Sequence, residues 1–228
     1  TADADRKIVV GIDGYKDNNA RTGVTVTVGG VSAERLVGIT ATHTSSELWQ
    51  ADVPTGTTGD VVIVWSGDMQ TCGIGVWRVI GGNSRPYIAK TSTADPGVVT
   101  VNIPAGGVGV GLAATGSGSS VTTSWTNLTE NFDESVATSG SGRSQHTGAC
   151  ADFASLQTDL DITADASSAD ANVLTVVIWG PTDTTYGTNG FLLDFADSSD
   201  FGNDVSGNSN DYTSSGLTAS DQVTDTPT

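Results

Sequence analysis

The chain has 228 residues, of which 9 are Lys or Arg and 26 are Asp or Glu, so its formal net charge is −17. All the basic residues precede residue 144, whereas residues 144–228 carry 13 Asp and no Lys or Arg. Binding to phosphates needs clustered cations, so composition argues against nucleic acid and anionic membrane surfaces as partners, and the apolar runs are too short for a membrane span.

Short segments of alternating apolar and polar residues follow one another along the first 180 residues. They predict strands at Lys7–Ile12, Val24–Val28, Leu36–His43, Glu47–Val53, Asp60–Trp65, Cys72–Ile80, Val98–Ile103, Val108–Ala114, Ser120–Leu128 and Val173–Trp179. Residues 149–158 fit a short helix or a long loop. About ten short strands separated by turn residues predict an all-β fold, an antiparallel β-sandwich or a jelly-roll-like domain.

Pro181 marks a change in composition. Residues 1–180 are expected to form the sandwich, and residues 181–228 to form an acidic extended arm rich in Gly, Asp, Ser and Thr. In the arm, Phe191–Phe195 predicts one short strand and Ala196–Asp211 a long polar turn. A segment with so few large apolar side chains buries too little surface to fold alone. We therefore expect it to dock on its own sandwich, on a neighbouring subunit, or on a further domain.

Residue types that carry acid–base or nucleophilic chemistry are few. His43 is expected at a solvent-facing strand position, and His146 in a Ser- and Gly-rich loop. Glu130, Asp133 and Glu134 lie close together in sequence, which fits either a solvated acidic loop or the two carboxylates that glycosidases use. The sequence therefore predicts that the protein is not an enzyme. If it is one, the alternative is a polysaccharide depolymerase that uses the acidic cluster of Glu130, Asp133 and Glu134.

Trp65, Trp77, Trp125 and Trp179 all fall in predicted strands. Packing in the core is the ordinary role of such residues, and the alternative is an exposed platform on which a sugar ring stacks. The core is the prediction here.

The polar turn of the arm contains oxygen ligands that Ca²⁺ prefers. Asp197, Asp200, Asn203 and Asp204 are the calcium candidates, although the spacing of an EF-hand loop is absent. The alternative is a hydrated turn without metal. No other cofactor is expected.

Cys72 and Cys150 are the two cysteines. They fit either one disulfide bond or two buried thiols that behave as small apolar side chains.

The segments Gly190–Ser199, Gly202–Asp211 and Leu217–Thr228 resemble a signature found in virion proteins of tailed phages, notably marine ones. In that family the signature leads into a concanavalin-like or laminin-G-like β-sandwich. The resemblance implies that residues 181–228 are either an arm or the truncated start of such a lectin-like domain. Short strings such as Asp5–Gly11 and Cys72–Trp77 are similar to sandwich domains that precede the signature in tail or fibre proteins.

The fold class and the resemblance together predict a non-enzymatic structural protein of a phage virion. It would be a tail-fibre, head-fibre or capsid-decorating subunit that forms a homo-oligomer and contacts other virion proteins. The alternative is a carbohydrate-binding or adhesin module that attaches to a glycan of the host surface through an exposed Trp or Tyr.

Overall fold

The computed structural model describes residues 3, 5–17, 19–117, 119–138, 143–167, 171–181, 191, 193, 195, 198–204 and 210–221. The chain divides into two compact units, Thr1–Thr182 and Asp183–Thr228. Among the described residues, no helix is long and apolar enough to cross a membrane.

Antiparallel strands make up the regular structure of the first unit, so the predicted all-β class is confirmed. In chain order they are β1 Lys7–Tyr15, β2 Gly23–Val28, β3 Val31–Ser32, β4 Glu34–Thr40, β5 Thr44–Asp52, β6 Val61–Trp65, β7 Thr71–Val79, β8 Ile88–Ser92, β9 Gly97–Ile103, β10 Gly107–Ser117, β11 Thr123–Thr126, β12 Thr129–Ala137, β13 Arg143–Phe153, β14 Gln157–Ala166 and β15 Ala171–Trp179. One short 3₁₀ helix, Ala219–Asp221, lies in the second unit.

The strands form four sheets. We call β4-β5-β1-β7 the first inner sheet and β3-β2-β6 the first outer sheet. The second inner sheet is β12-β13-β10-β15-β8, and the second outer sheet is β11-β14-β9. Each half of the unit therefore contributes one inner and one outer sheet.

Three apolar clusters show that the sheets are stacked in four layers. Ile12 packs with Val26 between the first outer and first inner sheets. Leu48 and Leu112 belong to the cluster between the two inner sheets, and Ile162 packs against the second inner sheet in the third cluster. Each fully buried aliphatic side chain of this size contributes roughly 1.5–3 kcal/mol relative to an exposed one.

The inner strands are covered on both faces, which explains their burial. In β1, Val9 faces the second inner sheet and Val10 faces the first outer sheet, and both are fully buried. In β5, every residue from Thr44 to Gln50 is buried, polar ones included. A sheet with layers on both sides leaves no solvent-facing positions along its central strands.

The two halves repeat one arrangement. In the inner sheets, the order β4-β5-β1-β7 of the first half corresponds to β12-β13-β10-β15 of the second half. In the outer sheets, β2-β6 corresponds to β11-β14. Both β4 and β12 carry a bulge in their pairing with the neighbouring strand, between Arg35 and Val37 and between Glu130 and Phe132. Strands β8 and β9 are additional members of the second half.

Several sequence predictions of local structure are wrong. Strands β3, β8, β12, β13 and β14 were not predicted, and residues 149–158 form the end of β13, a turn and the start of β14, with no helix. The predicted strand Leu36–His43 ends at Thr40. In Phe191–Phe195, the described residues Phe191, Leu193 and Phe195 lie outside any strand.

The second unit has its own internal contacts. The rings of Phe191 and Tyr212 meet edge to face, with 4.7 Å between their centroids. The Tyr212 amide donates a 2.8 Å hydrogen bond to the Gly202 carbonyl, and Phe201 is buried. These contacts are local to residues 191–221.

Candidate functional site

A chain of buried polar side chains links the two inner sheets. His146 of β13 bonds through Nδ1 to Oδ1 of Asp13 on β1. On its other side, His146 Nε2 lies 2.9 Å from the hydroxyl of Ser144, which lies 2.6 Å from the hydroxyl of Thr71 on β7. All four side chains are buried, so the chain runs through the interior from one half of the unit to the other.

The electrostatics of the pair favour a charged imidazole. Burial acts against the charged form of His146, but the carboxylate of Asp13 and its hydrogen bond act in the opposite direction, and the net result is a raised pKa. Oδ2 of Asp13 has no hydrogen-bond partner among the described residues. Burial, with a smaller contribution from the charge of Asp13, also raises the pKa of the nearby Cys72 thiol.

The order of the groups, Asp13 to His146 to Ser144, is that of a nucleophilic triad. A nucleophilic hydroxyl must reach a substrate, however, and the Ser144 residue is only 1% exposed. Its oxygen is also engaged by Thr71. The arrangement therefore supports the packing of the inner sheets better than it supports acyl transfer.

A groove lies beside the polar chain, between the outermost strands of the two inner sheets, β7 and β12. One part of it is a cavity of about 380 Å³ lined by Cys72, Ile74, Phe132, Glu134 and His146, among others. A second cavity of about 360 Å³ lies farther along the same two strands. The groove therefore follows the length of β7.

Trp77 is in contact with both strands of the groove. Its ring stacks on Phe132 of β12 with 6.1 Å between centroids, and its Nε1 donates a 2.7 Å hydrogen bond to Asn131. Gly11 and Gly148 leave space for this ring, because a Cβ at either position would lie within 2.8 Å of it. The lack of side chains at these glycines is thus what allows the two inner sheets to approach at this edge.

The structure corrects the predictions for both histidines. His146, expected in a loop, lies inside β13 and is 2% exposed. His43, expected on a strand, lies in the turn between β4 and β5, where it is half-buried with its ring 5.9 Å from that of Tyr15. Clusters of Ser and Gly led to the loop prediction for His146, although such residues are accepted in a strand that is buried on both faces.

The acidic cluster lies on a strand, not in a loop, and its members face different ways. Asp133 accepts a 3.0 Å hydrogen bond from the Thr123 amide and one from the Gln145 amide group. Glu134 lies on the opposite face of β12 and lines the groove, where His146 is its register partner. Burial and the neighbouring Asp133 raise the pKa of Glu130. Asp133 is thus engaged in structural hydrogen bonds, and only Glu134 reaches the groove.

Of the calcium candidates, Asp197 lies outside the described residues. Asp200 accepts a 3.2 Å hydrogen bond from the Gly202 amide, Asp204 accepts one of 2.9 Å from the Asn210 amide, and Asn203 is exposed. No group of three or more His, Cys, Asp or Glu with metal-binding geometry occurs in the part of the chain that the structure describes. Calcium binding in this turn stays a prediction.

The two cysteines form no disulfide bond with each other. Cys72 is exposed on β7 and Cys150 is half-buried on β13, so the alternative of two buried thiols is also wrong.

The tryptophans are packed as predicted. Trp65, Trp77 and Trp125 are partly buried against the three apolar clusters, and Trp179 is fully buried with its Nε1 bonded to Gln50. No indole of these four is exposed as a platform for sugar stacking.

Sequence reasoning missed both the polar chain and the groove. Asp13 and His146 are 133 positions apart, and no local pattern connects them. The groove had a weak signal, because Ile74 and Val76 alternate with glycines in β7. No protein-family model, no curated protein and no solved structure matches this chain.

Proposed function

We propose that the chain is a non-enzymatic structural subunit of a phage virion, in a tail fibre, a head fibre or a capsid decoration. It forms a homo-oligomer through its sandwich and through the C-terminal arm, residues 181–228. The proposal rests on the fold class, on the resemblance of the arm to virion proteins, and on one observation of the structure.

That observation is the edge of β7. This nine-residue strand pairs with β1 along its whole length, and no described strand pairs with its other edge. Its side chains Ile74 and Val76 are 49% and 53% exposed. Long, regular and apolar edge strands are templates for pairing with another chain, and monomeric proteins usually block them. An assembling subunit has a use for such an edge.

Glycan binding is the second hypothesis, and one residue of the first unit favours it. Tyr87 is 63% exposed in the segment between β7 and β8. A single exposed ring offers less stacking area than the sites built from several aromatic residues. We therefore rank glycan binding below assembly as the function of this chain.

The test of the assembly function is the molar mass of residues 1–228 in solution, measured by light scattering across a range of concentrations, together with electron microscopy of the particles formed. We expect defined oligomers, and we expect that deleting residues 181–228 weakens them. A chain that stays monomeric at high concentration with the arm intact would contradict the proposal.

A further inference from the structure

The repeat within the first unit shows which positions of its two halves correspond. In the first inner sheet, Val37 is the first paired residue after the bulge of β4. It pairs with Leu48 of β5, which pairs with Gly11 of β1, which in turn pairs with Gly75 of β7. The same path in the second inner sheet is the row Phe132, Gly148, Leu112 and Thr175. Position 75 therefore corresponds to position 175.

Equivalent side chains on either side of these positions differ sharply in exposure. Ile74 and Val76 of β7 correspond to Leu174 and Val176 of β15. The first two are 49% and 53% exposed, whereas the latter two are fully buried. The residues at these positions are apolar in both halves, but only in the second half are they covered by other parts of the described chain.

Two additional strands accompany the burial in the second half. Strand β8 pairs with β15, with Leu174 opposite Ser92 and Val176 opposite Lys90. Strand β9 pairs with β14 and packs its Val99 and Val101 into the cluster that holds Leu174 and Val176. No described strand takes the equivalent places beside β7 and β6. The first half is thus short of a strand at a position where its sequence is already apolar.

Apart from the exposed Arg78, β7 lacks the features that block pairing at an edge. The edge strands β4 and β12 each carry a bulge and charged residues, and β8 is short and carries Lys90. In contrast, β7 pairs with β1 in an unbroken register from Thr71 to Val79 and contains neither Pro nor Lys. An edge of this kind accepts a further strand by main-chain hydrogen bonding.

The space beside the edge suits one extended segment. The second inner sheet has five strands and the first has four, and β12 of the larger sheet forms the floor of the groove. On that floor, Val136 is 40% exposed and Glu134 is exposed. A strand added to the open edge of β7 would therefore lie over this floor.

The arm of the chain contains a segment with matching features. Phe191, Leu193 and Phe195 repeat at every second position, as Ile74 and Val76 do, and the two phenylalanines are 45% and 52% exposed. The arm is acidic and has no basic residue, while β7 carries the exposed Arg78 one residue before its end. The apolar spacing of the two segments matches, and Arg78 offers the acidic arm one cation.

We propose that the open edge of β7 binds an extended strand from the arm of a second copy of this chain, centred on Leu193, which covers Ile74 and Val76. This inference rests on the assembly function proposed above and names the surface that assembly uses.

The first experiment compares two charged substitutions on edge strands of the full-length chain. Val76→Lys places a charge on the open edge of β7. Val98→Lys is the matched control, since Val98 is 38% exposed on β9, an edge strand of the second outer sheet. We expect Val76→Lys to raise the dissociation constant of the oligomer by at least about tenfold, and Val98→Lys to leave it unchanged.

The second experiment uses the exposed thiol of Cys72, which lies on the same face of β7 as Ile74. In the variant Leu193→Cys, a mild oxidant should link position 193 of one copy to Cys72 of another and give a covalent dimer. Leu217→Cys is the matched control, because Leu217 is an exposed arm residue outside the proposed strand. The link should disappear when Cys72→Ser is added.

The outcomes separate the inference from the assembly function. Oligomers that tolerate Val76→Lys, with no more cross-linking from position 193 than from position 217, would overturn the inference and leave assembly through another surface. A full-length chain that forms no oligomer at any concentration overturns both. If circular dichroism shows that Val76→Lys does not fold, the cross-linking experiment decides, because Leu193→Cys changes no residue of β7.

Discussion

Asp13 and His146 face each other between the two inner sheets, and each comes from a different half of the repeat. The charged pair therefore joins the halves at the centre of the unit, where few polar groups are expected. Its surroundings give the first two predictions.

The stability of the chain should fall as the pH rises above neutrality. The pKa of His146 in the folded chain lies above its ordinary value of 6.5. The stabilisation from the pair is therefore complete below about pH 6.5 and is lost as the pH rises through the folded-state pKa. Each unit of pKa difference corresponds to about 1.4 kcal/mol of unfolding free energy. Urea unfolding between pH 5 and pH 9 measures it.

The control for this pH dependence is His146→Gln, which cannot titrate. Both proteins should carry Cys72→Ser, because the nearby thiol also titrates at alkaline pH. Glu134, which lies across from His146 in β12, stays in both. Equal pH slopes for the two proteins would show that the imidazole is not the group responsible.

Asp13→Asn should be strongly destabilising. The substitution leaves a buried imidazolium without its counter-charge, and breaking a buried pair in this way costs about 3–5 kcal/mol of unfolding free energy. The loss should be largest near pH 5 to 6, where the imidazole is charged. Asp152→Asn, at an exposed position of β13, is the comparison, and similar losses for the two would argue against a special role for Asp13.

Gly148→Ala should destabilise the edge where the inner sheets meet. A Cβ at this position would lie 2.5 Å from Phe132 Cε1 and 2.7 Å from Trp77 Cζ2, so the two stacked rings would have to move. Such overpacking costs about 1–3 kcal/mol. Thermal unfolding measures the loss of stability, and a red shift of the tryptophan fluorescence would accompany it.

The matched control is Gly38→Ala. There the nearest atoms belong to the flexible guanidinium of Arg35, which can move away at little cost. A loss for Gly38→Ala as large as that for Gly148→Ala would mean that the glycines matter through the backbone and not through the space they leave.

The buried carboxyl of Glu47 gives a prediction about charge. It accepts hydrogen bonds from Trp49 Nε1 at 2.9 Å and from the Gly23 amide at 3.1 Å, and it lies 3.5 Å from Arg35 Nε. Burial raises its pKa despite these partners. The charged form is thus disfavoured by folding, but different carboxyl oxygens accept from the two donors, and Gln keeps only one of them. Glu47→Gln should therefore lose one buried hydrogen bond, about 1–3 kcal/mol, and regain part of this loss because the disfavoured charge is removed.

Glu47→Ala should destabilise the chain more than Glu47→Gln does. It removes the acceptor for two buried donors, and each donor left without a partner costs about 1–3 kcal/mol. Denaturant unfolding of both variants makes the comparison. A loss for Glu47→Gln that equals the loss for Glu47→Ala would show that the negative charge itself is required.

The sequence predicts the fold class well because most strands carry β-branched residues at alternate positions. Strand β14 was missed although Leu160, Ile162 and Ala164 alternate regularly, since the intervening Asp residues are also typical of turns. Strand β12 was missed for the same reason. Acidic residues occur both on the solvent side of a strand and in a loop, so their presence in a segment does not distinguish the two.

The site was not predictable from local pattern. The burial of Thr44 and Ser46 depends on a second inner sheet that covers β5, and nothing in that segment indicates it. The correspondence between positions 75 and 175 likewise appears only in the order and register of the strands. Pairings between distant segments carry this information, and a single sequence does not display them.

The double coverage of the inner sheets limits how the chain can be divided. The repeat suggests cutting between β7 and β8 to obtain two smaller domains, yet each piece would then expose the face of its inner sheet that packs against the other half. Neither piece would be soluble by itself, and neither would hold Asp13 or His146 with its partner. The two halves should therefore gain and lose their structure together, in one cooperative transition, despite the repeat that relates them.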